Sequence, residues 1–109
     1  MLVENDALFT EPSNRELIAN AAKKYRLPAI SENRQLASSG LLLGYGASIP
    51  AMFEYAATYV DKILRGAKPA DLPVEQPAKF ILVINAGTAR TLGLNLPPTV
   101  LAVADEVIE

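Results

Sequence analysis

The chain has 109 residues, half of them apolar and a fifth charged, with 10 Lys and Arg against 12 Asp and Glu and a formal net charge of −2. That length supports one modest core, and the absence of a basic block argues against nucleic acid as a partner. Histidine and cysteine are both absent, which excludes disulfides, thiol nucleophiles, Cys/His zinc sites and every Ser-His-Asp arrangement.

Met1-Leu2-Val3 reads as the tail of a buried strand that runs into the polar loop Glu4-Asn5-Asp6. Ser13 and Glu16 have the spacing of a capping box, with Pro12 just outside it. The helix they introduce is expected to bury Leu17, Ile18, Ala21, Ala22 and Tyr25, with Arg15, Asn20, Lys23 and Lys24 facing out. Leu27-Pro28 should end it, because a residue before proline avoids the helical region. Ala29-Ile30 is a short second strand, followed by a loop over residues 31–39 that holds one helical turn near Arg34–Ala37. Leu41-Leu42-Leu43 suits a strand covered on both faces, broken by Gly44-Tyr45-Gly46.

Ser48 and Pro50 then open the clearest helix of the chain. Met52, Phe53, Ala56, Tyr59, Val60, Ile63 and Leu64 recur at intervals of three and four, and Asp61 and Arg65 form an i,i+4 pair. Gly66 stops this helix, and a crossing punctuated by Pro69, Pro73 and Pro77 follows. A compact domain rarely needs so long an extended segment between a helix and a strand unless the chain travels from one body to another. Phe80–Ile84 is a strand, Asn85 caps a helix that runs to Leu92, and Gly93 stops it. After Pro97-Pro98 comes a last turn over Thr99–Ala104, and Val107-Ile108 pair at a sheet edge. The alternation predicts an α/β fold, a parallel sheet flanked by helices.

In such sheets ligands bind beyond the carboxyl ends of the strands. Asn5 and Asp6 there either shape a turn or accept hydrogen bonds from an ammonium or hydroxyl group, and Phe9 offers a stacking surface. The Gly44-Tyr45-Gly46 segment either lets a ligand approach the backbone and a hinge move, or marks a strand end that needs positive φ, with Tyr45 covering the core. It is no nucleotide fingerprint, since the third glycine and any P-loop lysine are missing. Ser13, Ser38, Ser39 and Ser48 have no histidine partner, and nothing near Asp71 or Glu75 would raise one carboxyl pKa. No enzyme chemistry is found and no cofactor or metal is expected.

The stretch from Tyr59 to Asn85, YVDKILRGAKPADLPVEQPAKFILVIN, resembles the solute-binding proteins of one ABC-transporter family, the tryptophan/tyrosine-type binders. RLPAI at Arg26–Ile30 is similar to the family's RIPAI, and SGLLLGYG at Ser39–Gly46 to its AGGLMSYG. NAGTARTLG at Asn85–Gly93 resembles NLKTAKALG, Leu96-Pro97-Pro98 matches IPP, and the family usually ends as this chain does, in ADEVIE. Gly44 stands where many members carry Ser, and Ala86-Gly87 replaces a Leu-Lys pair.

That resemblance implies the C-terminal-lobe portion of a type I periplasmic-binding-protein fold. Residues 1–45 and 78–109 would build the lobe, and the helix at 50–66 would be lent to an N-terminal lobe. The chain is accordingly expected to be a C-terminal fragment of a longer, extracytoplasmic lipoprotein or periplasmic protein. The implied ligand face comprises Asn5, Asp6, Phe9, Ser31, Gly44, Tyr45, Gly46 and Ser48. The implied partners are a small organic solute, with an aromatic amino acid as one candidate, and the subunits of an ABC permease. An extracytoplasmic ligand-sensing domain of a signalling receptor is the alternative, disfavoured by an ending that does not continue into a membrane helix. A helix face without its native partner promotes association, so the fragment is expected to form a homodimer by exchanging that helix.

Overall fold

The computed structural model describes residues 1–109, which form five strands and six helices. The elements are β1 (Leu2–Val3), α1 (Ala7–Thr10), α2 (Pro12–Lys24), β2 (Ile30–Ser31), α3 (Arg34–Ser39), β3 (Leu43–Ala47), α4 (Ile49–Leu64), β4 (Phe80–Asn85), α5 (Ala86–Leu92), α6 (Pro98–Ala102) and β5 (Glu106–Ile108). The strands lie in sequence order, β1-β2-β3-β4-β5. β1 pairs parallel with β2, β2 with β3, and β4 with β5. A mostly parallel sheet flanked by helices is the α/β arrangement that the strand–helix alternation predicts. By its contacts the chain divides into two compact units, Met1–Gly46 with Ile81–Glu109, and Ala47–Phe80.

In the first unit, Leu36, Leu41, Val83 and Ile84 are the largest fully buried side chains. Val3, Ala19, Ala22, Ala29, Leu36 and Leu41 form one cluster, with Ile18 against it. Helix α2 departs from its sequence reading in three ways. Glu11 is its N-cap without a side-chain bond and Pro12 takes the first turn, so the Ser13–Glu16 box does not form; proline's fixed φ suits that position and shifts the start by one residue. The buried face is Ala19 and Ala22 with Ile18, while Leu17 and Tyr25 are each 66% exposed. Small alanines let the helix come close, as the Gly40 backbone beside the Ala19 methyl requires, and this rotates Arg15 inward, where its guanidinium donates to Gln35 Oε1 at 2.9 Å.

The end of α2 is the third departure. Arg26, at φ 52, takes the left-handed position that usually falls to glycine. Its N–H donates to Lys23 O at 3.1 Å and that of Leu27 to Ala22 O at 2.8 Å, a Schellman closure completed before Pro28 can act. Strand β3 is also displaced. Leu41 and Leu42 are buried ahead of it, and the strand itself runs through Gly44-Tyr45-Gly46 without breaking there.

Helix α5 starts and stops where its sequence signals fall. Asn85 Oδ1 accepts from Thr88 N at 2.8 Å, and Gly93 closes the helix at φ 73. Arg34 reaches across to β5 and makes two charge-assisted bonds with Glu106, at 2.7 and 2.6 Å.

The second unit is α4, a 3₁₀ turn at Pro69–Asp71 and the irregular strip 72–79. Ser48 Oγ caps α4 by accepting from Ala51 N at 3.4 Å. Asp61 and Arg65 pair at 2.9 Å, a contact worth only a few tenths of a kcal/mol at the surface. No residue of α4 is buried, and Phe53 and Leu64 are 73% and 82% exposed. No helix of the chain is long and apolar enough to cross a membrane.

Candidate functional site

The loops that follow β1 and β2 lie side by side in the first unit because the parallel register sets Leu2 against Ile30 and Val3 against Ser31. Asn5 N donates to Glu32 Oε1 at 3.3 Å, and Asn5 Oδ1 accepts from Asn33 Nδ2 at 3.0 Å. Ser31 is buried, and its Oγ accepts from Asn33 N at 3.2 Å. Asp6 caps α1, with one carboxylate oxygen accepting from Leu8 N at 2.8 Å. Phe9, in the same short helix, is 38% exposed. The structure therefore brings Asn5 and Asp6, on the loop after β1, near Ser31, which ends strand β2 rather than opening the loop expected from the sequence, with Phe9 on the helix that Asp6 begins.

The glycine pair of β3 is not there for positive φ, which neither residue adopts. Both are packed instead. A Cβ on Gly44 would lie 3.1 Å from that of Ala37, and one on Gly46 would lie 2.1 Å from the carbonyl oxygen of Glu32. Gly46 thus lets the β2 loop press onto β3. Tyr45 is largely exposed and does not serve as a core cover. Ser48 belongs to the second unit, where its hydroxyl is engaged in capping α4.

Glu32 and Asn33 are functional candidates that sequence reading passed over. The one signal that could have raised them is local: an Asn directly before a helical turn is a preferred cap, and Asn33 Oδ1 does accept from Gln35 N at 2.8 Å. What this face can do is present hydrogen-bonding oxygens and amides, from Asn5, Asp6 and their neighbours, to a small polar molecule. No group of three or more acidic side chains is placed to hold a metal ion.

A separate cleft of about 840 Å³ lies within the second unit, between α4 and the strip, lined by Met52, Tyr55, Tyr59, Leu72, Pro73 and Pro77 among others. Two tyrosine hydroxyls tie its walls: Tyr59 Oη donates to Pro73 O at 2.7 Å, and Tyr55 Oη donates to the Glu75 carboxylate. The bond to Glu75 pushes the Tyr55 phenol up to about 12, helped by loss of solvent and by the carboxylate's charge. Tyr59 is raised mainly by loss of solvent, and then by Glu75. A raised phenol means that the bond is intact below the ordinary tyrosine pKa near 10 and is lost as pH climbs through about 12. In a spectrophotometric titration at alkaline pH, Tyr55→Phe should therefore delete the last phenolate to form; loss of an earlier one would contradict the contact.

Comparison with known proteins adds to this geometry. A family model described as ABC transporter substrate binding protein matches residues 1–108. A conserved domain protein from Vibrio cholerae O1 biovar El Tor superimposes with a TM-score of 0.86 at 27% identity, covering 97% of this chain and 35% of that one. An ABC domain from Streptococcus pneumoniae in complex with L-Trp gives a TM-score of 0.75 at 26% identity, over 84% of this chain and 32% of that one. The ligand-free, open form of a substrate binding protein with adhesive properties from Clostridium difficile shares the fold, with a TM-score of 0.71 at 20% identity over 98% and 35%. The chain spans about a third of the length of each of these structures. A comparison with curated proteins finds no match.

Proposed function

We propose, from the premise that this chain belongs to the ABC transporter substrate binding protein family, that it forms part of a receptor delivering a small organic solute to a membrane permease. The observation that carries this reading is the family match along nearly the whole chain. The L-Trp complex of the Streptococcus pneumoniae relative supports an aromatic amino acid as the solute. The receptor works outside the cytoplasmic membrane, in the periplasm or as a lipoprotein, and does no covalent chemistry.

Because the chain spans about a third of its structural relatives, we read it as a C-terminal portion. Residues 1–45 and 78–109 then belong to one lobe, and the helix at 50–66 serves the other. The ligand face is the loop bearing Asn5 and Asp6 with Ser31 at the end of β2, and Phe9 and Tyr45 serve as aromatic contacts. Binding favours the closed arrangement of the lobes, which shields the solute from water and presents the complex to the permease.

Titration calorimetry on the full-length protein against L-tryptophan and the other proteinogenic amino acids tests this. At least one should bind. Asp6→Ala should weaken that binding about tenfold, the effect of losing one charge-assisted contact. Its thermal midpoint should hardly move, since Asp6 caps only the four-residue α1. Failure of every amino acid to bind removes the solute assignment; an unchanged affinity in the variant removes Asp6 from the ligand face.

A further inference from the structure

Asn33 holds two loops at once. Its Oδ1 accepts from Gln35 N at 2.8 Å and caps α3, while its Nδ2 donates to Asn5 Oδ1 at 3.0 Å. A carboxamide can do this because it carries an acceptor and a donor on one planar fork. The Asn33 backbone is fixed in turn, with its N–H on Ser31 Oγ at 3.2 Å and its carbonyl accepting from Leu36 N at 3.1 Å. Beneath this, the Glu32 backbone rests on Gly46, where no side chain would fit. Asn33 is therefore a braced group, and Asn5 is the residue it acts on.

Asn5 is thereby given a polarity. Its Oδ1 is held toward Asn33 and its backbone N–H toward Glu32, so the end of the carboxamide opposite the brace is its Nδ2 amide, a pure donor. Resting on the ligand-face reading above, we propose that Asn33 is the positioning residue that locks Asn5 with its amide nitrogen toward the solute, making this loop a reader of an acceptor oxygen such as a solute carboxylate. Asp6 beside it supplies acceptors, so the two adjacent residues would distinguish the two ends of a zwitterion.

Asn33→Asp separates this role from a merely structural one. Aspartate caps a helix as well as asparagine does, so α3 and the thermal midpoint should be kept. It cannot donate, however, so the Asn5 carboxamide should turn over, donate to the new carboxylate and show its oxygen to the solute. In ¹⁵N-labelled full-length protein without ligand, the Asn5 side-chain NH₂ protons should change from free to slowed solvent exchange. Affinity for whichever amino acid the wild type binds, with L-tryptophan as first probe, should fall by roughly tenfold or more.

The double variant Asn5→Ala/Asn33→Asp should bind no worse than Asn5→Ala alone, since Asn33 acts only through Asn5. Unchanged Asn5 exchange, unchanged affinity in Asn33→Asp, or additive losses in the double variant would each overturn the proposal and leave the receptor reading standing. A wild type that binds no amino acid would instead overturn the receptor's solute assignment, and with it the donor role given to Asn5.

Discussion

Replacing Gly46 by alanine is expected to destabilise this chain by about 3 kcal/mol, at the upper end of what overpacking a fixed site costs. The added methyl would lie 2.1 Å from the carbonyl oxygen of Glu32, 2.9 Å from its carbonyl carbon and 3.1 Å from its Cα. All three are backbone atoms, so no rotamer change can relieve the contact. Either β3 or the β2 loop has to move, and the loop is tied to Asn5 and to the start of α3. Gly66 provides the contrast. It has φ +101 and nothing within 4 Å of its would-be Cβ, so alanine there meets only a conformational penalty of about 1 kcal/mol. Guanidinium denaturation of both variants should show the Gly46 midpoint falling well below the Gly66 one at a similar m-value. In thermal melts, roughly 4–8 °C per kcal/mol places the Gly46→Ala loss at about 12–24 °C. A Gly46→Ala protein within 0.5 kcal/mol of wild type, a margin usual for inert surface changes, would mean that the loop yields without cost and that Gly46 sets nothing.

The same glycine shows what was and was not legible in the sequence. Helices α4 and α5 were readable because their signals are local: Ser48 and Asn85 cap them, proline or glycine punctuates them, and α4 repeats its apolar residues at helical spacing. Strand β4 was readable from its unbroken apolar run. Helix α2 was misread where its outcome depends on packing. Pattern alone weights large side chains, so Leu17 and Tyr25 were expected inside, whereas Ala19 and Ala22 are the buried residues and the Gly40 backbone lies against Ala19. Its end was hidden because Arg26 sits where glycine would have announced a stop.

The candidate site divides in the same way. That Asn5 and Asp6 lie on a loop beyond a strand end follows from alternation of strand and helix, which is visible along the chain; Ser31, expected in the next loop, instead ends β2. That Asn33 braces Asn5 depends on a contact between residues 28 positions apart, and that Gly46 carries the Glu32 backbone depends on sheet register. Neither leaves a periodic or compositional trace. Sequence could name the loops but not how they are fastened together.

Asn85 is the position where a local signal and a hidden contact coincide, and its substitution should cost about 2–3 kcal/mol. Its Oδ1 caps α5 through Thr88 N at 2.8 Å, and loss of such a cap is worth about 1 kcal/mol. Its Nδ2 donates to Ala37 O at 3.0 Å, and both residues are buried; that bond contributes a further 1 kcal/mol or so, plus the space left by the shorter side chain. The two halves can be separated by the choice of replacement. Asn85→Ala loses both. Asn85→Asp keeps the cap but loses the donor, and it sets a carboxylate against the Ala37 carbonyl in a site only 8% exposed, which is unfavourable for a charge without a partner. Were capping the whole role, aspartate would restore wild-type stability, because it caps as well as asparagine. With the bridge to α3 included, aspartate should be at least as destabilising as alanine near neutral pH, and the deficit should shrink as acid protonates the new carboxyl and gives it a donor. Urea unfolding of the two variants at pH 7 and pH 4.5 measures both terms. An Asn85→Asp protein as stable as wild type at pH 7 would reduce Asn85 to a helix cap and leave the Arg34–Glu106 pair as the polar side-chain link from α3 to this part of the sheet.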